Sequence, residues 1–381
     1  MLRGLEEAPM HANIFSPALC HVDLGAVRRN FSRLGAASAI MPVIKSDAYG
    51  HGLMPVADAL AQSGAERFAV GTAAEGLALR AGGIGQEILL LLGAHGAEEW
   101  QAAAGNRLTP LVGSFEALDA AAAASPVRVA VKCETGMGRL GFRRDALPLL
   151  LDKLRHMPGV TPVMVLSHLS SADMPEEDAH THEQIARFEH MSDALRSVFP
   201  GLSRSLANSA ATLALPKTRY EVCRPGLALY GGNPFAGTER ENLCPDLEWA
   251  MSVSAPVLEV HSLAAGESVS YGRAFRAGRP MLVAAVGIGY ATGFARALSN
   301  RAAVLVNGRR APQVGRVCMG ILMVDVTDAG PVQPGDRAWL LGGPAARGQK
   351  AVSAQELAGL LNTIPYEVLC LMGVTNRRVY A

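Results

Sequence analysis

From about residue 38 to 230, short apolar runs alternate with longer stretches of helical periodicity. The runs are AIMPVIKS, RFAVG, EILLLLG, RLTPLV, VRVAVKC, TPVMVLSHL, SRSLANS and EVCRPG, eight in all. Several are apolar throughout instead of alternating, as parallel strands covered on both faces should be. Helix signals lie between them. LMPVADALAQSG closes with Gly64 as a C-cap, and SFEALDAAAAAS opens with Ser114 as its N-cap. Thr181 with Gln184 reads as a capping box ahead of IARFEHMSDALRSVF. Eight β/α units in roughly 200 residues predict a (β/α)8 TIM barrel.

The pattern then changes. GGNPFAGTERENLCPDLE (231–248) is rich in turn formers and reads as a linker. Beyond it, MSVSAPVLEVHSL, MLVAAVGIGYA, AAVLVNGRRAPQVG, CMGILMVDVT and RAWLLGG read as strands joined by tight turns. Asn307-Gly308 marks a type I′ hairpin, and SAQELAGLLNTI reads as one amphipathic helix. The expected fold class is α/β: an N-terminal barrel over residues 23–235, then a mostly-β domain from 236 to 381.

Composition narrows the function. With 49% hydrophobic and 18% charged residues in 381, a large core is feasible and disorder is excluded. Lys+Arg of 35 against Asp+Glu of 34 leaves no basic field, and 5% aromatics make stacking platforms scarce, so nucleic acid is a poor partner. MLRGLEEAPMHANIFSP carries no apolar signal core, and runs such as PMLVAAVGIGYATGFA are too short and glycine-rich to span a bilayer. The six cysteines lack CxxC spacing, which argues against a zinc site or a disulfide framework and for reduced thiols in a cytoplasmic protein.

Chemistry in such barrels collects at the C-terminal strand ends. The first run ends on Lys45, followed by Ser46, Asp47 and Tyr49. Burial there would lower the ammonium's pKa and free the amine as a nucleophile; a lysine that surfaces at a strand end is the alternative. The fifth run ends in Lys132 with Arg139 beyond, the sixth in Ser167-His168, the seventh in Asn208-Ser209, the eighth in Arg224-Pro225-Gly226. Each alone has a structural explanation, but so many polar strand ends together describe a site. The last two loops, ANSAAT and RPGLALYGG, suit an oxyanion. A buried lysine, a phosphate cradle and an arginine together suggest pyridoxal phosphate, attached at Lys45 with Arg224 at the ring nitrogen. Flavin phosphate competes, but leaves Lys45 without a purpose.

VIKSDAYGHG, KCETGMGRLGF, SHLSSAD, LANSAAT, CRPGLALYG, SYGRAF, VGIGYATGF, VGRVCMGILMVDVT and TIPYEVLC resemble, in order, the motifs of the alanine racemases. The resemblance covers about residues 17–381. It implies a pyridoxal 5′-phosphate isomerase that interconverts L- and D-alanine with two bases, supplying D-alanine for peptidoglycan. It also implies a head-to-tail homodimer whose active sites join one subunit's barrel to the other's β domain. SPALCHVDL resembles the family's first strand, which places residues 1–22 with 236–381.

Residue by residue, Lys45 matches the lysine that holds the cofactor and serves as one base, and Tyr271 matches the second base. Tyr49, Asn208, Ser209, Gly226, Leu227 and Tyr366 match the cofactor and phosphate contacts. Arg139 matches an arginine near the cofactor's phenolic oxygen and the substrate, and Lys132 a lysine often carbamylated in the family. Arg224 matches the arginine at the pyridine nitrogen. It stays protonated and leaves that nitrogen unprotonated, which disfavours side reactions such as transamination. His168 is the candidate to assist Tyr271. Met319 matches the residue whose N–H meets the substrate carboxylate, and Tyr290 a tyrosine at the mouth of the site. The resemblance assigns no metal. Two positions depart from the family pattern, Gly320 and Thr292, where aspartate is usual. The alternatives are a racemase of wider range, acting on serine or other small or basic amino acids, a fold-related decarboxylase, or a non-catalytic pyridoxal-phosphate-binding protein.

Overall fold

The computed structural model describes residues 16–244, 246–345 and 348–381; the part of the N-terminal assignment that falls on residues 1–15 lies outside the described residues. The chain divides into two units. One holds residues 16–23, Tyr49–Gly52 and Trp249–Ala381; the other holds Leu24–Ala48 and Leu53–Glu248. Strand β1 (Leu19–Val22) belongs to the first unit, and helix α1 (Leu24–Leu34) begins the second.

The second unit contains a six-stranded parallel sheet in chain order: β2 (Arg67–Val70), β3 (Glu87–Leu90), β4 (Leu108–Val112), β5 (Val127–Lys132), β6 (Val160–Leu166) and β7 (Ser203–Ser205). Helices α2 (Leu53–Gln62), α3 (Ala73–Ala81), α4 (Gly96–Gly105), α5 (Phe115–Ala123), α6 (Leu147–Arg155), α7 (Asp178–Val198) and α8 (Ser209–Ala214) accompany it. The first and eighth apolar runs do not form regular strands. Pro42 and Pro225 each lack the N–H that a ladder needs. The two runs still close the ring through single bridges, Val43 with Ala69 and Ile40 with Cys223. Met41 N–H reaches Cys223 O at 2.8 Å, Ala69 N–H reaches Pro42 O at 2.9 Å, and Arg224 N–H reaches Ala207 O at 2.8 Å. The eight-membered barrel ring is therefore present, with two members reduced to extended bridges.

Local signals behave as their chemistry dictates, with one exception. Ser114 caps α5 by accepting Ala117 N–H at 3.2 Å, and Gly64 ends α2 with φ 90°. The Thr181–Gln184 capping box does not form, because α7 begins earlier, at Asp178. Both residues lie inside that helix, and Gln184 serves another purpose, described with the site. Thr72 and Glu75 form the capping box that is present, at the start of α3.

The first unit is built on β8 (Met251–Leu263), β9 (Ser268–Val269), β10 (Phe275–Arg276), β11 (Met281–Val286), β12 (Ala303–Val306), β13 (Arg309–Val314), β14 (Leu322–Asp325), β15 (Arg337–Leu341) and β16 (Arg377–Tyr380), with helices α9 (Ala354–Leu361) and α10 (Pro365–Thr375). The sheet order is β11-β14-β13-β12-β15-β8-β1-β16, and β11 also pairs with β8. Strand β8 is long enough to serve three neighbours: Met251–Ser254 pairs with β1, Val253–Pro256 with β15 and Val257–Leu263 with β11, and the last two pairings close a six-stranded ring and remove its open edges. Leu263, Val269, Met281, Val283 and Val314 fill part of its interior. Asn307 (φ 50°) and Gly308 (φ 73°) make the expected hairpin between β12 and β13. Helix α10 escapes a reading by periodicity because LCLMGV is apolar nearly all round, although Pro365 at its first turn is a start signal. Among the described residues, no single helix is long and apolar enough to cross a membrane.

Candidate active site

In the second unit the polar strand ends form a cationic group. Lys45 and His168 are half-buried, Lys132 and Arg224 are buried, and Arg139 is exposed. Burial, with the charges of Arg224, Lys132, Arg139 and Lys45, holds His168 well below the usual imidazole range, so it is neutral at neutral pH. Lys132 is pushed down to about 7, first by burial and then by Arg224; Cys133 and Glu134 pull the other way. Glu134 offers only partial compensation, since its carboxylate accepts Gly136 N–H at 2.5 Å and Arg139 N–H at 3.2 Å. The Arg224 guanidinium donates to Ser205 Oγ at 2.5 Å and to Ser167 O at 2.6 Å, and burial lowers it to about 10.

The backbone around Lys45 is unusual. Ser46, Asp47, Ala48 and Tyr49 all have φ 54°, a left-handed turn made without glycine. Ala48 N–H bonds Ile44 O at 2.9 Å, Asp47 N–H donates to Glu75 Oε1 at 3.1 Å, and Leu53 N–H to Asp47 Oδ1 at 2.6 Å. Glu75 was not singled out by sequence reasoning, although the Thr72-x-x-Glu75 spacing announces its capping role.

Asn208 caps α8 through Ala211 N–H at 3.0 Å, which fixes Ser209 as the first helical residue. Ser209 Oγ, buried, accepts the N–H groups of Gly226 at 3.0 Å and Ala228 at 3.2 Å. Between those two amides, the buried Leu227 N–H has no acceptor among the described residues. A buried donor left open beside a hydroxyl and two turns of small residues calls for an anion.

Gln184 of α7 ties down the loop after β6. Its Nε2 donates to His168 O at 3.1 Å, and its Oε1 accepts Ser170 N–H at 2.9 Å and Ser170 Oγ at 3.0 Å. A Cβ on Gly136 would lie 3.1 Å from its Cγ, so the loop after β5 packs on the same side chain. Sequence reasoning missed this because T-x-x-Q also fits a cap.

The remaining expected residues belong to the first unit. The Tyr49 and Tyr366 rings lie 5.7 Å apart, and burial raises the Tyr49 phenol above its usual range. Tyr271, at 72% exposure, and Met319, at 62%, both stand in the open. The Met319 N–H has no acceptor among the described residues. Tyr290 starts a turn that reads the same loop, with Tyr290 N–H on Cys318 O and Ala291 N–H on Met319 O, each at 3.0 Å. Thr292 keeps this turn closed, its Oγ1 lying 3.2 Å from both Gly289 N and Gly289 O. A Cβ on Gly320 would meet nothing within 4 Å. Among the described residues no group of three His, Cys, Asp or Glu side chains is placed to hold a metal ion.

Comparison with known proteins matches residues 22–234 to the alanine racemase N-terminal domain and 250–380 to the alanine racemase C-terminal domain. An alanine racemase of Nitratidesulfovibrio vulgaris is 49% identical over 361 residues, 93% of this chain and 96% of that protein. Among solved structures, the biosynthetic alanine racemase from Pseudomonas aeruginosa is similar at TM-score 0.84 and 35% identity, over 96% of this chain and 100% of the other. The alanine racemase from Bartonella henselae with covalently bound pyridoxal phosphate is similar at TM-score 0.83 and 29% identity, over 96% and 99%.

Proposed function

The chain belongs to the alanine racemase family, and we propose that it interconverts L- and D-alanine with pyridoxal phosphate as its cofactor. The observation that carries this reading is the gathering of Lys45, Lys132, Arg139 and Arg224 about His168, which burial first and their charges second hold below the usual imidazole range. Such a field suits an anionic cofactor and a substrate carboxylate. The residues of the second unit fit the cofactor: Ser209 with the open Leu227 N–H would hold its phosphate, and the Arg224 guanidinium would donate to its ring nitrogen. The family resemblance adds Tyr49 and Tyr366, paired in the first unit, as phosphate contacts. When bound, pyridoxal phosphate withdraws electrons from the substrate's Cα and acidifies its hydrogen.

Inversion requires a proton held on each face of Cα. Lys45 Nζ, which also anchors the cofactor, holds it on one face, and Tyr271 Oη on the other. A phenol titrates near ~10 and needs a partner to give up its proton at neutral pH. A neutral His168 serves as that partner, since its imidazole has a free lone pair to accept with. Arg139 and the Met319 N–H orient the substrate carboxylate, and Tyr290 lines the approach. A neutral fraction of Lys132 adds to carbon dioxide through its nitrogen and loses a proton, giving a carbamate that holds Arg139 by charge-assisted hydrogen bonds.

We assign the protein to a homodimer in which Tyr271 of one copy serves Lys45 of the other, and the 72% exposure of Tyr271 in a single chain supports this. All six cysteines are unbridged, which supports a reducing, cytoplasmic compartment where D-alanine feeds peptidoglycan synthesis. The open space at Gly320 favours one second reading, a substrate range that extends to serine. The primary test is racemisation of L-alanine, followed by coupled detection of the D-product, in parent and Lys45→Ala. The variant should lose the visible absorbance of the attached cofactor and nearly all turnover. Undiminished turnover would overturn the assignment.

A further inference from the structure

Tyr271 stands on the turn between β9 and β10, closed by Arg273 N–H on Ser270 O at 3.1 Å and by Arg273 Nε on Ser268 Oγ at 2.9 Å. Ser270 (φ 69°), Gly272 (φ 70°) and Arg273 (φ 52°) surround it with positive φ, and two of these three carry side chains that disfavour such backbone. The side chain of Tyr271 is exposed. Beyond its own bonds, the turn is tied from outside by the segment 299–317.

Asn300 is the centre of that restraint. Its Nδ2 donates to Ala274 O, just past the turn, at 3.1 Å. Its Oδ1 accepts the N–H of Gly315 at 2.5 Å. Gly315 lies against the front of the turn so closely that a Cβ there would stand 2.7 Å from Ser270 Cβ. Ser270 Oγ in turn donates to Arg316 O at 2.6 Å. One carboxamide therefore ties the residue after the turn to the strand that backs the residue before it. The backbone of Asn300 is itself fixed, because its N–H donates to Oε1 of the buried Gln313 at 2.7 Å. Gln313 Nε2 completes the brace on Val314 O at 3.1 Å and Gly315 O at 2.9 Å. With φ 58°, position 300 also favours asparagine over most other side chains.

We propose that Asn300, braced by Gln313, is a positioning residue for Tyr271, setting where the phenol stands without touching substrate. The inference rests on the reading of Tyr271 as a base. Asn300→Gly keeps the backbone conformation accessible and removes the carboxamide. Asn300→Asp keeps the acceptor for Gly315 and loses the donor to Ala274.

The test uses holoenzyme of the parent, both variants, Tyr271→Phe, and the double variant Asn300→Gly/Tyr271→Phe. Single-turnover exchange of the α-hydrogen with deuterated solvent is followed from each enantiomer. Tyr271→Phe identifies the enantiomer that depends on the phenol. Asn300→Gly should lower exchange from that same enantiomer about tenfold, as displacement of a catalytic group does, and change the other less than about twofold. The double variant should be no worse there than Tyr271→Phe alone, because the two act as one unit. Asn300→Asp should fall between. A second readout needs no turnover: Cys318 Sγ lies 3.7 Å from Ser270 Oγ, so loosening the turn should speed its alkylation by iodoacetamide, read by peptide mass spectrometry. Equal losses from both enantiomers, or additive losses in the double variant, would overturn the positioning role, as would unchanged exchange with unchanged labelling. If Tyr271→Phe leaves both exchanges intact, the base assignment fails, and the Cys318 labelling rate alone decides whether Asn300 holds the turn.

Discussion

Replacing Glu75 with alanine tests what keeps the left-handed turn behind Lys45 in place. A left-handed helical conformation costs an L-residue roughly 1–2 kcal/mol, so four in succession carry on the order of 4–8 kcal/mol, with Asp47 at the lower end. The Glu75 carboxylate opposes this from a half-buried position. It accepts Asp47 N–H at 3.1 Å, Gly71 N–H at 2.7 Å and Thr72 N–H at 3.2 Å. A backbone amide on a carboxylate contributes about 1 kcal/mol once partial solvent access is allowed for, so removing all three costs about 3 kcal/mol. One of the three bonds holds 45–53 and two hold 71–72, so local opening should become about fivefold more frequent in 45–53 and about 30-fold in 71–72. Hydrogen exchange read by mass spectrometry on peptides covering 45–53 and 71–75 measures this, with α5 as an internal control. The Ser114 cap of α5 is untouched, and the Thr72 side chain still caps α3 through the amide at position 75. Glu75→Gln keeps an acceptor oxygen and should show a smaller effect. Unchanged exchange at both peptides in Glu75→Ala would refute the reasoning, and equal deprotection of α5 would show a loss of stability that is not local.

Lys132 gives a pH signature of definite sign. Its amine is held at about 7 in the folded chain against 10.5 ordinarily. Below pH 7 both states bind the proton and the folded state bears the full cost; between 7 and 10.5 the unfolded state alone binds it, so stability rises with pH. Lys132→Met should therefore be most stabilised relative to the parent below pH 7, with the gap closing by pH 10.5, in thermal denaturation under carbon-dioxide-free buffer. A gap independent of pH refutes this. Gly320→Asp fills the open space beside Met319; repulsion of the substrate carboxylate, about 1 kcal/mol, weakens alanine and serine alike, while the filled space should sharpen the preference for alanine over the larger serine. Equal ratios of kcat/KM for the two substrates in parent and variant would make the glycine neutral. Gln184→Met fills the same space without polar atoms and leaves His168 O and Ser170 N–H unpaired, so it should cost about 2–3 kcal/mol in urea unfolding. A loss below about 0.5 kcal/mol would show the clamp to be idle.

The barrel was legible because its ring members, six strands and two extended bridges, come from largely apolar runs with Lys45, Lys132, His168 and Arg224 at or just past their ends; burial on both faces and chemistry at one end leave that trace together. Strand β8 was legible along its whole length, Met251–Leu263, as a β-branched, partly alternating run between turn formers. The pairing of its two halves with different neighbours was not, since a strand's partners are chosen by residues far along the chain. The left-handed turn left no trace either: its four residues are Ser, Asp, Ala and Tyr, and the nearest glycine, Gly50, comes after it. A local code would have placed glycine there, and the hydrogen bonds from Glu75 and Asp47 make it unnecessary. Gln184 was misread because the same spacing fits a cap and a clamp, and only the start of α7 at Asp178 separates them. Asn300 and Gln313 carry no local signal, because their partners are backbone atoms brought to them by the β-ring.

Strand β1 is hydrogen-bonded on both sides to strands that are made long after it, Met251–Ser254 on one side and Arg377–Tyr380 on the other. During synthesis, Leu24–Glu248 can pair its own segments as they emerge, while residues 19–22 must wait without partners for the far end of the chain. Tyr49–Gly52 waits as well, since Gly50 is seated against α10 so tightly that a Cβ on Gly373 would lie 2.1 Å from Gly50 O. A growing chain halted before residue 377 thus presents an unpaired strand edge, a surface on which other chains can add and which chaperones and proteases detect.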